Sequence, residues 1–210
     1  MNSLPSANDL LLFWFGPRPY TAVRVQQHVR LWFGAADAPE ITPQTDEMIR
    51  DRYGALTDQA SNGALTDWES SARRRLALIV VLDQFSRNIY RGSARAYAQD
   101  LRALQLTVSG MQVGADATLD PVERLFFYMP LMHAESPEVQ EESVAAFRRL
   151  MEESADEVRS TFEASVRSAI KHRQVIERFG RFPSRNIVLG RDSTPDEMDW
   201  LRGEGREFVN

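Results

Sequence analysis

The 210-residue chain is 43% hydrophobic and 26% charged, and its formal net charge is −5. That length suits a single domain over residues 1–210, and the absence of cysteine excludes disulfides, thiolate metal sites and a cysteine nucleophile while fitting a reducing cytoplasm. The longest apolar run, Leu76 to Leu82, falls far short of the roughly 20 residues of a membrane span, no leader-like segment opens the chain, and the acidic balance opposes nucleic-acid binding; a cytoplasmic protein engaging neither membrane nor nucleic acid is expected.

In chain order, Ser6 and Asp9 form a potential capping box for a short helix through Leu10 to Phe13, which Gly16-Pro17-Arg18-Pro19 ends. A second helix is predicted from about Thr21 to Phe33. Thr42-Pro43 reads as N-cap and first-turn proline of a third, stopping at Asn62-Gly63. The segment from Glu69 to about Ile89 contains the apolar run and must be buried on all sides. A strand competes for this run, but the neighbouring helical periodicity and the lack of turn signals favour a helix. A helix from Ser93 to Val108 follows. Asp120-Pro121-Val122-Glu123 and Thr194-Pro195-Asp196-Glu197 are proline-containing capping boxes, and Ser136-Pro137 opens a helix between them. Asp156 to Phe179 is a long amphipathic helix closed by Gly180. The expected fold is all-α, about nine helices in antiparallel pairs, arranged as an irregular tetratricopeptide-like array or, second, a globular bundle.

The charge is unevenly spread. Seven arginines from Arg73 to Arg102 face only Asp83 and Asp100, and six basic residues from Lys171 to Arg191 face only Glu177. Two basic segments in an acidic protein make an anion-attracting surface if the fold brings them together; solvated helix faces are the plainer reading of each alone.

Three stretches carry candidate chemistry. Asp83 extends the buried face of Leu76, Ile79 and Val80, and Arg87, one turn on, is its natural partner. An internal ion pair holding helices in register competes evenly with a ligand role. In Phe126-Phe127-Tyr128-Met129-Pro130-Leu131-Met132-His133-Ala134-Glu135, a proline kink would present His133 and Glu135; alternatively Pro130 ends the helix and His133 caps its carbonyls. Third, His172 and Arg173 precede a loop whose Phe182-Pro183-Ser184-Arg185-Asn186 echoes Phe85-Ser86-Arg87-Asn88. Paired Arg-Asn steps offer guanidinium forks and amides for carboxylate or phosphate, although loop arginines also cap helix ends.

These stretches, with Leu12-Phe13-Trp14-Phe15-Gly16 near the start and Leu189-Gly190-Arg191 near the end, resemble the signatures of the bacterial family called domain of unknown function 924 over nearly the whole chain. The resemblance implies an α-α superhelix similar to tetratricopeptide proteins and brings no established activity, cofactor or catalytic residue. Ser86 stands where many members have proline and Ser184 where many have histidine, so any proton-transfer or ligand role of that histidine is missing here.

Three classes of function follow. A binding module for an anionic small molecule or acidic peptide would clamp it with Arg87, Arg185 and Arg173. Asn88 and Asn186 would orient the anion, Phe182 and Tyr128 would wall the pocket, and Asp83 would hold an arginine. A hydrolase or transferase on an anionic substrate would use His133 or His172 as general base, with Asp83 a further catalytic candidate. No nucleotide or cofactor fingerprint occurs, and His133 and Glu135 with His172 or Asp83 lack diagnostic metal spacing, so no cofactor or metal is expected. A protein-binding scaffold would expose Trp14, Trp32 or Phe33.

Overall fold

The structure, a computed structural model, describes residues 4–34, 38 and 40–208, with the backbone alone for Glu207. Among them the chain is all-α, with no strand.

Helix α1 (Ala7–Phe15) opens at the expected capping box: Ser6 Oγ accepts from the Asp9 amide at 3.2 Å, and the Asp9 carboxylate accepts from the Ser6 amide at 2.9 Å. Thr21 caps α2 (Ala22–Phe33). Helix α3 (Ile41–Ser61) begins ahead of the predicted Thr42 cap. Pro43 still lies in the first turn, where its missing N–H has no intrahelical partner to lose.

The apolar run is helical and buried throughout, but not uniformly α. Helix α4 (Ala72–Ile79) passes without a break into a π-helical segment, Val80–Phe85, and then α5 (Ser86–Ile89). The Ser86 amide donates to the Val81 carbonyl five residues back, the spacing of a π turn, so Ser86 retains a donor that proline would lack. Upstream, Thr66–Ser70 is a separate 3-10 turn, so the predicted helix starts later than Glu69. The helix predicted from Ser93 to Val108 is also divided, into a 3-10 turn, Ala94–Tyr97, and α6 (Asp100–Gln112). The break places Asp100 in the first turn of α6.

Helix α7 (Pro121–Met132) is capped by Asp120 and Glu123 as expected. It runs two residues past Pro130, so the proline neither starts nor terminates it. Loops of a few residues connect it to α8 (Pro137–Glu152) and α8 to α9 (Asp156–Phe179), which makes these packed neighbours antiparallel. Gly180, at φ +69°, closes α9 in the left-handed region that favours glycine, its amide 2.8 Å from the Ile176 carbonyl. Thr194 caps α10 (Pro195–Arg202).

The α4–π–α5 rod and α7 form the centre, with α1, α3 and α6 packed around the rod and α8 and α9 extending the array beyond α7. One contiguous apolar core joins α1 to α9, and a smaller cluster of Val175, Ile176, Phe182 and Trp200 anchors the C-terminal loop. Trp14 and Trp32 are core residues, so of the three aromatics whose exposure would mark a docking scaffold only Phe33 reaches the surface. Phe126 is fully buried among Trp14, Phe15 and Trp32, with ring centroids 4.8–5.6 Å away. Phe126→Ala is therefore expected to lower stability by about 3–5 kcal/mol in urea denaturation, the cost of an unfilled aromatic cavity.

Candidate functional site

The π segment turns Asp83 into the interior, where its carboxylate is fully buried. Arg87, one turn on as predicted, approaches it at 3.1 Å and also donates to the Asp83 carbonyl at 2.8 Å. His133 Nδ1 lies 2.7 Å from Asp83 Oδ1, and the Gln84 amide donates to the other oxygen. His133 sits at the end of α7, but its ring reaches Asp83 rather than capping carbonyls. Burial pushes the Asp83 carboxyl up; Arg87 and His133 outweigh that and hold it below the usual carboxylate range. Burial, then Arg87, depresses the His133 pKa against the pull of Asp83. A neutral His133 facing an ionised Asp83 donates from Nδ1 and keeps a lone pair on Nε2.

The two basic segments do converge, and an acid joins them. Asp100 Oδ2 accepts from Arg87 at 2.9 Å and from Arg185 at 3.2 Å. Arg185 also donates to the His133 carbonyl at 3.0 Å, and its guanidinium lies over the rings of Phe182 and Tyr97, at 4.4 and 4.7 Å. Burial and the nearby Arg87 lower the Arg185 pKa. The loop carrying Arg185 is pinned from behind. Glu135 accepts the Phe182 amide and both terminal nitrogens of Arg191, while Glu197 accepts from Arg181 and from Asn186.

His172 completes the group. Its Nδ1 donates to the Ser168 carbonyl at 2.8 Å, because a carbonyl can only accept, and its ring packs against Phe182 and Phe208. The rings of His133 and His172 are 6.3 Å apart. Burial first, then His133, pushes the His172 pKa down to about 3.

These residues line a cavity of about 880 Å³ bounded by α2, α9, the π segment and α5, the end of α7 and the Pro183–Arg185 turn. Arg87, Asn88, His133, His172, Phe182 and Arg185 are on its wall, and Asp83 stands directly behind. Asn88 is oriented by Asp46, which accepts its amide at 2.8 Å and is clasped by Arg91. Three sequence candidates are elsewhere. Tyr128 is buried with its hydroxyl on Asp116 at 2.6 Å, because its face of α7 meets α8. Arg173 points toward α8, paired with Glu141 and Glu177. Asn186, fully buried, donates to Ser193 and Glu197 and accepts from Arg191, so it shapes the loop rather than meeting the cavity.

Asp100 and Tyr97 were missed by sequence reasoning; a lone second acid in an arginine-rich segment was the available signal for Asp100. Also unforeseen as wall residues are Arg30, Arg91, Arg167 and Lys171. Ser184 lines the cavity as well. Among the described residues no group of three or more histidines and carboxylates is disposed to hold a metal ion, and no helix is long and apolar enough to cross a membrane.

An all-helical protein with arginines and histidines gathered at an interhelical cavity is thus the class that fold and site define. Residues 10–205 match the family described as "Bacterial protein of unknown function (DUF924)", and the chain belongs to it. It is similar to the solved structure of a protein of unknown function, ATU0120, from Agrobacterium tumefaciens: 30% identity and a TM-score of 0.75, covering 93% of this chain and 96% of that one. No curated protein matches the chain.

Because His172 stays neutral in the fold down to about pH 3, the unfolded chain binds a proton there that the folded chain does not, below its ordinary pKa of 6.5. Stability from this residue is full above pH 6.5 and lost as pH falls toward 3. His172→Phe is expected to flatten the decline in urea midpoint between pH 7 and pH 4.

Proposed function

We propose that the chain is a cytoplasmic, single-domain protein that binds an anionic small molecule in this cavity, and that its helix pairs form a tetratricopeptide-like superhelix. The observation that carries the reading is the charge of the wall. Six cationic side chains (Arg30, Arg87, Arg91, Arg167, Lys171 and Arg185) line it and, among the described residues, no carboxylate does, in a protein whose net charge is −5. The acids that neutralise Arg87, Arg91 and Arg185 approach from behind, leaving the cavity side to a ligand. Its volume lies within the roughly 300–1,000 Å³ of small-molecule sites and favours a compact ligand over an acidic peptide. Tyr97, Phe182, Met129 and Met132 supply apolar wall beside the cations, matching an anion with an apolar or aromatic body.

Within this reading Arg185 is the principal clamp. Asp100 and the His133 carbonyl engage two of its N–H groups, and a guanidinium has five. Titration calorimetry with inorganic phosphate is expected to show binding that Arg185→Ala weakens about 10- to 100-fold, the loss of hydrogen bonds to a charged group. Arg185→Lys should recover part of the affinity, and Arg173→Ala, on the opposite side of α9, should leave it unchanged. Phosphate affinity equal in wild type and Arg185→Ala would remove the reading; an acidic peptide bound while phosphate is not would point to the larger ligand.

A further inference from the structure

The cavity wall holds a feature that anion binding does not require. A buried carboxylate, Asp83, fixes the ring of His133 through Nδ1 at 2.7 Å, and His133 is one of the residues facing the cavity. Binding alone would be served by the arginines. Anchoring Nδ1–H on an ionised carboxylate leaves Nε2 as the available lone pair and stabilises the imidazolium once that lone pair takes a proton. The His133 side chain keeps 16% of its surface open rather than being sealed in the core.

We infer that the cavity is catalytic, with His133 as the general base that activates water for hydrolysis of a phosphomonoester. The inference rests on the anion-binding reading and goes beyond it in naming a reaction and a substrate class. A phosphomonoester is favoured over a carboxylic ester because a dianion matches a wall with several cations, whereas acyl hydrolysis develops only one negative charge on one oxygen.

The step balances without a metal or co-substrate. A water oxygen attacks phosphorus and forms the new P–O bond while its proton passes to His133 Nε2. The ester P–O bond breaks, and its electron pair leaves on the alkoxide or aryloxide oxygen. That oxygen takes a proton from solvent water, and His133 returns its proton to the same pool. The sum is phosphomonoester dianion plus water giving alcohol plus hydrogen phosphate. Arg185 and Arg87 hold the phosphoryl oxygens, and the Tyr97 ring beneath both guanidinium groups, at 4.7 and 5.6 Å, keeps them in place. Asp83 is a positioning residue acting through His133. His172 donates its Nδ1–H to a backbone carbonyl and, among the described residues, has no carboxylate partner, so it packs beside the base and is not the base itself.

The test is hydrolysis of 4-nitrophenyl phosphate by the full chain, run beside inorganic phosphate binding. Wild type is expected to turn the ester over, and His133→Gln to lose about 10²–10⁴-fold in kcat, the usual contribution of a general base, while still binding phosphate. Asp83→Asn adds a readout that a merely structural role would not move. The charged and titratable groups facing His133 are Asp83, Arg87 from α5, Asp100 from α6, His172 from α9 and Arg185 from the C-terminal loop. Removing the Asp83 charge leaves the arginines dominant, so the acid limb of the pH–rate profile should move to lower pH as the rate falls. His133→Gln, at a partly open position, decides the matter if Asp83→Asn fails to fold. Phosphate bound with no turnover, or turnover unchanged in His133→Gln, overturns the catalytic inference and leaves the binding reading standing. No phosphate binding by the wild type overturns both.

Discussion

The carboxylate of Asp83 has no access to water, and an unpaired charge at such depth costs several kcal/mol. The surrounding structure answers that cost from separate elements: Gln84 in the π segment itself, Arg87 from α5 and His133 from the end of α7. Each partner then imposes a further demand. Arg87 is nearly buried and needs a second carboxylate, which Asp100 supplies from the first turn of α6. Asp100 in turn holds Arg185, whose other terminal nitrogen reaches back to the carbonyl of His133. The site is a closed circuit of charge and hydrogen bonding rather than a set of independent contacts. Removing one member of a buried pair typically costs 3–5 kcal/mol, so such a circuit also ties the helices together.

A second group of acids holds the loop that completes the circuit. Glu135 and Glu197 face away from the cavity and hold the 180–191 loop through Arg191, Arg181, Asn186 and the Phe182 amide. Arg185 is thereby delivered to Asp100 by a loop that has little regular structure of its own. Asp46 plays the same part for Asn88 and Arg91 on the neighbouring wall. Acids behind and cations in front give a protein of net charge −5 a basic cavity wall.

The distinction between the two Arg-Asn steps shows where sequence reasoning reached its limit. Both look alike in the chain, yet Asn88 borders the cavity and Asn186 is fully buried in the loop. Arg173 and His172 are adjacent on α9, so their side chains diverge by roughly 100° around the helix and only one can face the cavity. Tyr128 is five residues from His133 in the chain, but its ring packs on Phe147 and its hydroxyl finds Asp116 instead of the cavity. The π segment left no mark in the hydrophobic pattern, because a rod buried on all sides has no polar face whose displacement would reveal an added residue.

What the sequence by itself determined is local. Ser6, Asp120 and Thr194 with their acidic partners set helix starts, Gly180 set the end of the longest helix, and the all-apolar run from Leu76 to Leu82 had to lie at the centre. Those features depend on neighbours within one or two turns, and such distances are written directly in the chain. The Asp83–Arg87 pair was legible for the same reason. Only the tertiary structure decided that His133, fifty residues away, would meet Asp83, and that Arg185 would share Asp100 with Arg87 across eighty-five residues. Those meetings depend on how α6, α7, α9 and the C-terminal loop pack around the central rod, and packing geometry is a property of the assembled core rather than of any segment in it.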